Sequence, residues 1–415
     1  MAAAPKGPRC KMKYTTLLFL SLLALISQGC TNDPPKEYPP APMTPLYSAK
    51  LSWAKLHSPI GVDKYSWLVP AVNKTAVYVA ERNGTVSKLD INTGKTLWRK
   101  KTDFRFSAGP VLGDNTLYAG TSKAIVVAMS AETGKIKWQQ DVSSEILVPP
   151  LIKNDHLFVR TNDGKVFGLR ARDGKIFWSY DRNVPALTLR GNSPLLAFED
   201  NVIVGFANGR LISLSMLDGK TNWETAISLP KGRTELERIV DIDGELSEKN
   251  GILYVSSFNG KTAAVDARSG SIIWTRDLPS NLGAMIDDKN VYLTDARGQI
   301  WALDKNSGST LWKQDKLEGR ANTRPLIFDN KLVVGDVMGE LYWLSLSDGR
   351  ILGHLPYDRA SKLSGATSYV DEIEDDSYFV PRRPDTAVIF EPRVSNNHLI
   401  VTYQNGITAS VQMAH

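Results

Sequence analysis

One short sequence pattern recurs along most of the chain and constrains its fold more than any other feature. Each copy has an apolar residue, a Gly five residues later that follows Thr, Asp or Ser, and, in six of seven copies, a Trp four residues after the Gly. Neighbouring glycines are 38 residues apart at the closest (270 to 308) and 51 at the widest (219 to 270). The repeated glycines are Gly94, Gly134, Gly174, Gly219, Gly270, Gly308 and Gly349. A repeat of this length indicates a β-propeller with one four-stranded blade per unit.

The residues around each repeated Gly also predict the local structure. Gly adopts a positive φ without steric cost, and the polar residue before it can bond its own backbone, so each copy is expected to form a tight hairpin. A second hairpin signal, such as Asn83-Gly84 or Asn208-Gly209, lies ten residues earlier in most units (84 to 94 and 209 to 219). β-rich runs precede these signals. Each unit is therefore predicted to contain four strands, here called A to D, with the Trp on strand D.

The strand count predicts how the ring closes. Eight units contain the central strand pair, but only seven are followed by a D strand before the chain ends. Residues 51–56, which contain Trp53, resemble the missing D strand. We therefore predict an all-β, eight-bladed β-propeller over residues 49–415 with PQQ-like blades, closed by its N-terminal strand, which removes an open sheet edge. The Trp residues are interpreted as packing residues between blades.

The first thirty residues predict export and lipidation. Four cations precede the apolar segment 17–26, which ends in Ile26-Ser27-Gln28-Gly29-Cys30. This pattern is typical of a signal peptide (1–29) ending in a bacterial lipobox, in which Cys30 would be diacylated. Residues 30–48 contain six prolines and are predicted to be an extended tether. Met12 is an alternative start to Met1.

Charge and cysteine content argue against a nucleic-acid-binding protein and against a disulfide-bonded propeller. The chain has 50 Lys and Arg against 44 Asp and Glu, a net charge of +6. Removing the four signal-peptide cations leaves 46 against 44, or +2, so the chain has no basic footprint for nucleic acid. Cys10 and Cys30 are its two cysteines, and the propeller is therefore predicted to have no disulfide.

Three long connectors interrupt the regular spacing, at residues 180–194, 228–250 and 357–385. All three link a D strand to the next A strand, so they are predicted on the same ring face as the turns between strands B and C. The first and second connectors belong to neighbouring blades and are expected to form one raised patch. Loops on a rigid scaffold often carry binding residues. Two alternatives remain open: leucines of the first connector can pack onto blade four, and the second connector can be a solvated loop.

Two segments of these connectors carry a family resemblance. They are Leu187-Thr188-Leu189-Arg190-Gly191 and Arg238-Ile239-Val240-Asp241-Ile242-Asp243. Together with the lipobox, the Pro-rich tether and the eight repeats, they resemble the BamB family, the lipoprotein subunits of the outer-membrane β-barrel assembly (BAM) machinery. The resemblance covers essentially the whole mature chain.

The resemblance implies a non-enzymatic scaffold, lipid-anchored in the outer membrane and facing the periplasm, that assists folding and insertion of outer-membrane proteins. Its expected partners are BamA, through the POTRA domains, and other BAM subunits. Unfolded precursors are a further expected partner, bound by β-augmentation. The residues implied to contact BamA are Leu187, Leu189, Arg190, Asp241 and Asp243.

The main alternative is a quinoprotein dehydrogenase that holds pyrroloquinoline quinone and Ca²⁺ in the ring. The chain lacks the vicinal Cys pair frequent in such enzymes, and Asp90, Asp266 and Asp304 occupy a repeated turn position better suited to structure than to catalysis. The five histidines lack metal-ligand spacing, and hydrolase, phosphate-loop and zincin motifs are absent. We therefore predict no cofactor, no metal and no catalytic residue. A polysaccharide-binding propeller is a third hypothesis.

Overall fold

The computed structural model describes residues 46, 48–57, 67–183, 185, 187–189, 193–320, 322–364, 387–388 and 390–413. The predicted signal peptide, Cys30 and nearly all of the predicted tether lie outside these residues, and their assignments stay predictions. The described part of the chain has no helix long and apolar enough to cross a membrane.

The chain forms eight antiparallel four-stranded sheets, and sequential strands are neighbours within each sheet. This confirms the predicted eight-bladed β-propeller. Blade 1 comprises β2 (Ala71–Val72), β3 (Ala76–Ala80), β4 (Thr85–Asp90) and β5 (Thr96–Lys101); blade 2 comprises β6 (Phe106–Gly113), β7 (Thr116–Thr121), β8 (Ile125–Ser130) and β9 (Ile136–Asp141). Blade 3 comprises β10 (Leu151–Lys153), β11 (His156–Arg160), β12 (Val166–Arg170) and β13 (Ile176–Tyr180); blade 4 comprises β14 (Leu196–Phe198), β15 (Asn201–Gly205), β16 (Arg210–Ser215) and β17 (Thr221–Ala226).

The second half of the ring repeats this order. Blade 5 comprises β18 (Ser247–Lys249), β19 (Ile252–Ser256), β20 (Thr262–Asp266) and β21 (Ile272–Arg276); blade 6 comprises β22 (Ala284–Ile286), β23 (Asn290–Thr294), β24 (Ile300–Asp304) and β25 (Thr310–Gln314). Blade 7 comprises β26 (Leu326–Phe328), β27 (Lys331–Gly335), β28 (Leu341–Leu344) and β29 (Ile351–Leu355); blade 8 comprises β30 (Arg393–Ser395), β31 (His398–Thr402), β32 (Ile407–Met413) and, from the N-terminus, β1 (Ala49–Leu56).

Burial follows the position of each strand in its blade. Every residue of β3 is buried, whereas β5 is mostly exposed. The two middle strands therefore lie between neighbouring sheets, and the D strand forms the outer edge. First strands of neighbouring blades contact each other, as β18 does β22, which places the A strands in the innermost layer. The core is thus a series of apolar layers between blades.

The N-terminal strand closes the ring, as the sequence predicts. β1 pairs antiparallel with β32, from Ala49 opposite Met413 to Leu56 opposite Ile407. The sheet order β1–β32–β31–β30 makes β1 the fourth strand of blade 8. The first strand of the described propeller and its last strand therefore share one sheet, and no blade is left incomplete.

The repeated Trp and the repeated Gly meet at the interfaces between blades. Each indole N–H donates to a backbone carbonyl of the next blade at 2.8 to 3.2 Å. A Cβ on the facing Gly would lie 2.4 to 2.9 Å from the same indole, so only Gly fits there. We call each pair a tryptophan–glycine junction. The junctions are Trp53–Gly94, Trp98–Gly134, Trp138–Gly174, Trp178–Gly219, Trp223–Gly270, Trp274–Gly308 and Trp312–Gly349. The prediction that these Trp residues pack between blades is confirmed.

The interface between blades 7 and 8 is built differently. Gly353 of β29 occupies the position that carries Trp in the other blades. Helix α1 (Tyr357–Ser364) follows β29 and packs against β1 and β32. The Tyr357 ring contacts Tyr403 edge-on at 5.2 Å, and its hydroxyl accepts a hydrogen bond from Asn405. The third connector therefore begins with a helix that packs on the last blade.

Candidate functional site

The first connector exposes one of its two leucines. Leu187 is 42% exposed, and Leu189 is half-buried. The Leu189 N–H donates to Asp241 Oδ2 at 2.8 Å. This bond joins the first connector to the second, as expected for two connectors of neighbouring blades. Arg190, the third predicted contact residue of the first connector, lies outside the described residues.

The second connector presents two further leucines that the sequence analysis did not select. Leu229 is 57% exposed and Leu236 is 68% exposed. Leu236 lies in a turn in which the Glu237 carboxylate accepts the Thr234 N–H at 3.3 Å and the Thr234 hydroxyl accepts the Glu237 N–H at 3.2 Å. This reciprocal pattern is a capping box, which the Thr-x-x-Glu spacing signals in sequence. We call the exposed side chains of Leu187, Leu229 and Leu236 the connector surface.

The second connector then enters the ring between blades 4 and 5. Ile242 N–H donates to the Phe206 carbonyl at 3.2 Å, and Phe258 N–H donates to the Asp241 carbonyl at 2.9 Å. Ile242 is fully buried and packs on Gly205, where a Cβ would lie 2.3 Å from the Ile242 methyl group. The solvated-loop alternative therefore describes only the first half of this connector.

Two carboxyl groups of the second connector and one guanidinium of blade 3 are buried. Asp241, Asp243 and Arg160 are 0%, 8% and 3% exposed. Burial raises the pKa of Asp241 to about 6, while the Leu189 N–H and the Arg160 charge oppose the increase. Burial also raises the pKa of Asp243 to about 7, and the neighbouring Asp241 charge adds to it. Both carboxyl groups therefore hold protons at a higher pH than an exposed Asp.

The exposures divide the predicted contact residues into two kinds. Leu187 is accessible to a partner, whereas Asp241 and Asp243 are covered by their own connectors. A buried carboxylate cannot touch a partner unless its connector moves, so we interpret both aspartates as supports that hold the connectors. Direct contact of Asp241 or Asp243 with a partner stays a prediction, and the burial of both side chains does not support it.

The repeated aspartates stabilise turns, as the sequence predicts. Asp90 Oδ1 accepts the N–H groups of Asn92 and Thr93 at 3.1 and 2.9 Å. Asp266 and Asp304 do the same two and three residues on. The hydroxyl of the residue three positions on donates to the same oxygen, and these side-chain and backbone hydrogen bonds lower the pKa of each carboxyl. These side chains are therefore committed to the hairpins between strands C and D.

A charged cluster around Arg324 contacts residues of blades 5 and 6 and the segment before blade 8. The Arg324 guanidinium donates to the Ala284 carbonyl (2.6 Å from Nη2), to Ser247 Oγ (2.7 Å), to Glu245 Oε2 (3.2 Å) and to the Glu391 carboxylate. This donor set does not fit the Ca²⁺ and quinone of a dehydrogenase, because a cation would have to displace the guanidinium from both carboxylates. Among the described residues, no group of three or more His, Cys, Asp or Glu is arranged to hold a metal ion.

The chain is similar in sequence to known outer membrane protein assembly factors. A family model described as "Outer membrane protein assembly factor BamB" matches residues 82–314. Curated relatives of that name include one from Pseudomonas aeruginosa PAO1, 43% identical over 82% of this chain and 90% of the relative. Another, from Escherichia coli K12, is 33% identical over 84% of this chain and 93% of the relative.

Solved structures show the same fold. The crystal structure of BamB from Moraxella catarrhalis aligns with a TM-score of 0.75 and 24% identity, covering 88% of this chain and all of that one. The quinohemoprotein alcohol dehydrogenase of Comamonas testosteroni aligns at 0.65 with 12% identity, covering 88% of this chain and 76% of that one. The propeller alone thus does not separate an assembly factor from an enzyme. The sequence relatives make that distinction: this chain belongs to the BamB family of outer membrane protein assembly factors.

Proposed function

We propose that this chain is a non-enzymatic scaffold subunit of the BAM complex and binds BamA through the connector surface. Membership of the BamB family supports the role in assembly. The observation that carries the binding proposal is the exposure of Leu187 and Leu236 on two connectors joined by the Leu189–Asp241 hydrogen bond.

The exposed leucines supply the chemistry of a protein-binding surface. Burying one leucine side chain stabilises a complex by about 1.5–3 kcal/mol. Binding energy usually concentrates in a few fully desolvated residues, most often Trp, Tyr and Arg. Leu187, Leu229 and Leu236 offer the apolar area, and Arg190, which follows Leu189 in the sequence, is the residue of a typical hot-spot type. Asp241 supports the first connector through the Leu189 N–H.

Substitution of the exposed leucines tests this surface. Leu187→Ala combined with Leu236→Ala is expected to weaken binding of detergent-purified BamA by about tenfold or more, because each truncation removes buried apolar area. Leu217→Ala is the matched control, since Leu217 is 82% exposed but lies in a turn between strands C and D, away from the connectors. Equal affinities for all variants would refute the connector surface as the BamA site.

Lipid attachment at Cys30 is the proposed basis of localisation. Stable anchoring to a membrane requires more than one acyl chain, which a diacylated Cys30 would supply. The Pro-rich tether after it would then hold the ring at the periplasmic side of the outer membrane. Cys30→Ser is expected to release the protein from the outer-membrane fraction into the soluble periplasmic fraction. Retention of this variant in the membrane fraction of cells lacking the other BAM subunits would contradict the anchor.

Precursor binding is a second proposed activity, favoured by the outer strands. The D strands form sheet edges, and the exposed apolar residues on them include Leu97, Ile136, Phe177, Ile273 and Leu311. An unfolded outer-membrane protein could add a strand to such an edge. Site-specific crosslinkers at Phe177 are expected to capture precursors during assembly. Capture of BamA without any precursor would contradict this role.

The enzyme alternative is tested on the same protein. Purified protein incubated with pyrroloquinoline quinone and Ca²⁺ is expected to show no bound quinone absorbance, because Arg324 already pairs with the carboxylates of Glu245 and Glu391. A stoichiometric quinone band with dehydrogenase turnover would overturn the scaffold proposal. No described residue specifically favours the polysaccharide-binding alternative.

A further inference from the structure

We infer that Arg160 of blade 3 is the positioning residue that fixes both connectors in the arrangement that binds the partner. This inference rests on the proposed binding of BamA by the connector surface. Arg160 is the last residue of β11 and lies far from both connectors in sequence.

Arg160 contacts the first connector and the neighbouring blade directly. Its Nη1 donates to the Ser193 carbonyl at 3.1 Å, at the C-terminal end of the first connector. Its guanidinium lies over the Phe206 ring at 5.0 Å from the centroid, a cation–π geometry. Phe206 also accepts the Ile242 N–H through its carbonyl. One side chain therefore contacts the end of the first connector and the turn on which the second connector rests.

The second connector carries two carboxyl groups of opposite charge to Arg160. Asp241 and Asp243 are the acidic groups that act electrostatically on Arg160. Within the described structure, Arg160 Nε, Asp241 Oδ1 and Asp243 Oδ2 are buried without a hydrogen-bond partner. Arg160 thus acts on the two carboxyl groups electrostatically and not through hydrogen bonds at these atoms. Two buried carboxylates without a cation would repel each other and favour exposure of the connector.

These contacts form a continuous path to the connector surface. Arg160 compensates the charge of Asp241, Asp241 Oδ2 binds the Leu189 N–H, and Leu189 is two residues from the exposed Leu187. Holding both connectors before binding reduces the ordering cost of association. Arg160 is buried and does not itself face the partner, so it acts through the connectors.

The test compares two buried arginines in the full-length chain. Arg160→Met is expected to weaken binding of detergent-purified BamA by about tenfold and to accelerate hydrogen exchange of the Leu189 amide by about the same factor. Arg320→Met is the matched control: Arg320 is 2% exposed, its Nε lies 2.5 Å from Asp336 Oδ2, and it lies over Tyr342 in blade 7. The control is expected to destabilise the ring but to leave the affinity of folded protein and the Leu189 exchange unchanged.

Two further variants separate positioning from folding. Arg160→Lys retains the charge and is expected to lose less affinity than Arg160→Met. Adding Asp243→Asn to Arg160→Met removes one uncompensated charge and is expected to restore part of the Leu189 protection. Unchanged Leu189 exchange and BamA affinity in both Arg160 variants would overturn the inference. If Arg160→Met accelerates Leu189 exchange while the leucine variants of the connector surface bind BamA normally, the proposed binding surface fails and the positioning role within the ring stands.

Discussion

At the scale of single residues, each tryptophan–glycine junction depends on the absence of one Cβ. Gly219 has a φ of +70°, and a Cβ there would lie 2.6 Å from the Trp178 ring. Gly251 has a φ of +78°, but its nearest atom to a Cβ would be the flexible Arg268 guanidinium at 3.3 Å. Both glycines have a positive φ, but only Gly219 faces an indole. Comparing them therefore separates the cost of the backbone conformation from the cost of a contact with the Trp178 ring.

Alanine at these two positions measures the junction. Gly251→Ala is expected to lower the free energy of unfolding by about 1–2 kcal/mol, the cost of a positive φ for a residue with a Cβ. Gly219→Ala is expected to lower it by about 2–5 kcal/mol, because overpacking against the indole adds about 1–3 kcal/mol. Urea unfolding at one pH measures both. Equal losses would show that the junction contributes nothing beyond backbone conformation.

Asp243 gives the ring a specific pH dependence. Its pKa is about 7 in the folded protein against 3.8 for an ordinary Asp, so the folded state binds more protons between these values. The free energy of unfolding therefore falls as pH rises from about 4 to 7, by at most about 4 kcal/mol from this group. Asp243 faces Asp241 and Arg160, which share the cluster.

The Asp243→Asn variant isolates this effect. Its unfolding free energy is expected to decline less than that of the unsubstituted protein between pH 5 and pH 8, measured by urea titration at each pH. Asp277→Asn is a suitable control, because the pKa of this exposed carboxyl is lowered by its ion pair with Lys261. Parallel pH profiles for the Asp243 variant and the unsubstituted protein would contradict the raised pKa.

At the scale of elements, β1 both completes blade 8 and carries Trp53 into the junction with blade 1. Removing residues 1–56 would leave β32 as an open edge and empty that junction. Such a protein is expected to aggregate during refolding, because unpaired edges template association. Removal of residues 1–48 keeps β1 and is expected to leave a monomeric ring. Light scattering during refolding distinguishes the two, and a soluble ring without β1 would contradict its closing role.

The elements differ in how far sequence predicts them. The blade count and the ring closure follow from sequence because Gly and Trp recur at positions with a fixed structural role. In the second unit, Ala124 adopts a φ of +58° at the turn that lacks Gly, and the hairpin still forms. The connectors have no such period. The burial of Asp241 and the approach of Arg160 depend on how an irregular segment lies between two distant turns, and spacing carries no signal for either. The capping box is an exception within the second connector, because the Thr234-x-x-Glu237 spacing signals it in the sequence.

At the scale of the whole molecule, seven of the eight blade interfaces in the described propeller carry a tryptophan–glycine junction. The exception lies between blades 7 and 8, where Gly353 replaces the Trp. Contacts of Tyr357 with Tyr403 support this interface instead. The interfaces between blades are therefore not all built in the same way.

This asymmetry predicts how the interface between blades 7 and 8 responds to truncation. Tyr357→Ala is expected to accelerate hydrogen exchange of the β29 amides, because contacts of Tyr357 with Tyr403 take the place of the junction there and local opening draws on regions with fewer stabilising contacts. The β25 amides belong to a blade with the Trp312 junction. They serve as the internal control and are expected to keep their exchange rates. Unchanged β29 exchange in the Tyr357→Ala variant would contradict this prediction.

The tryptophan–glycine junction also gives the ring a direction. Each blade that carries both residues inserts an indole into its successor and accepts one from its predecessor, so a copied unit would find matching neighbours on both sides. No single junction determines that the ring has eight blades. The blade number is fixed where β1 meets β32, because the first and last strands of the described propeller must come together in the same sheet.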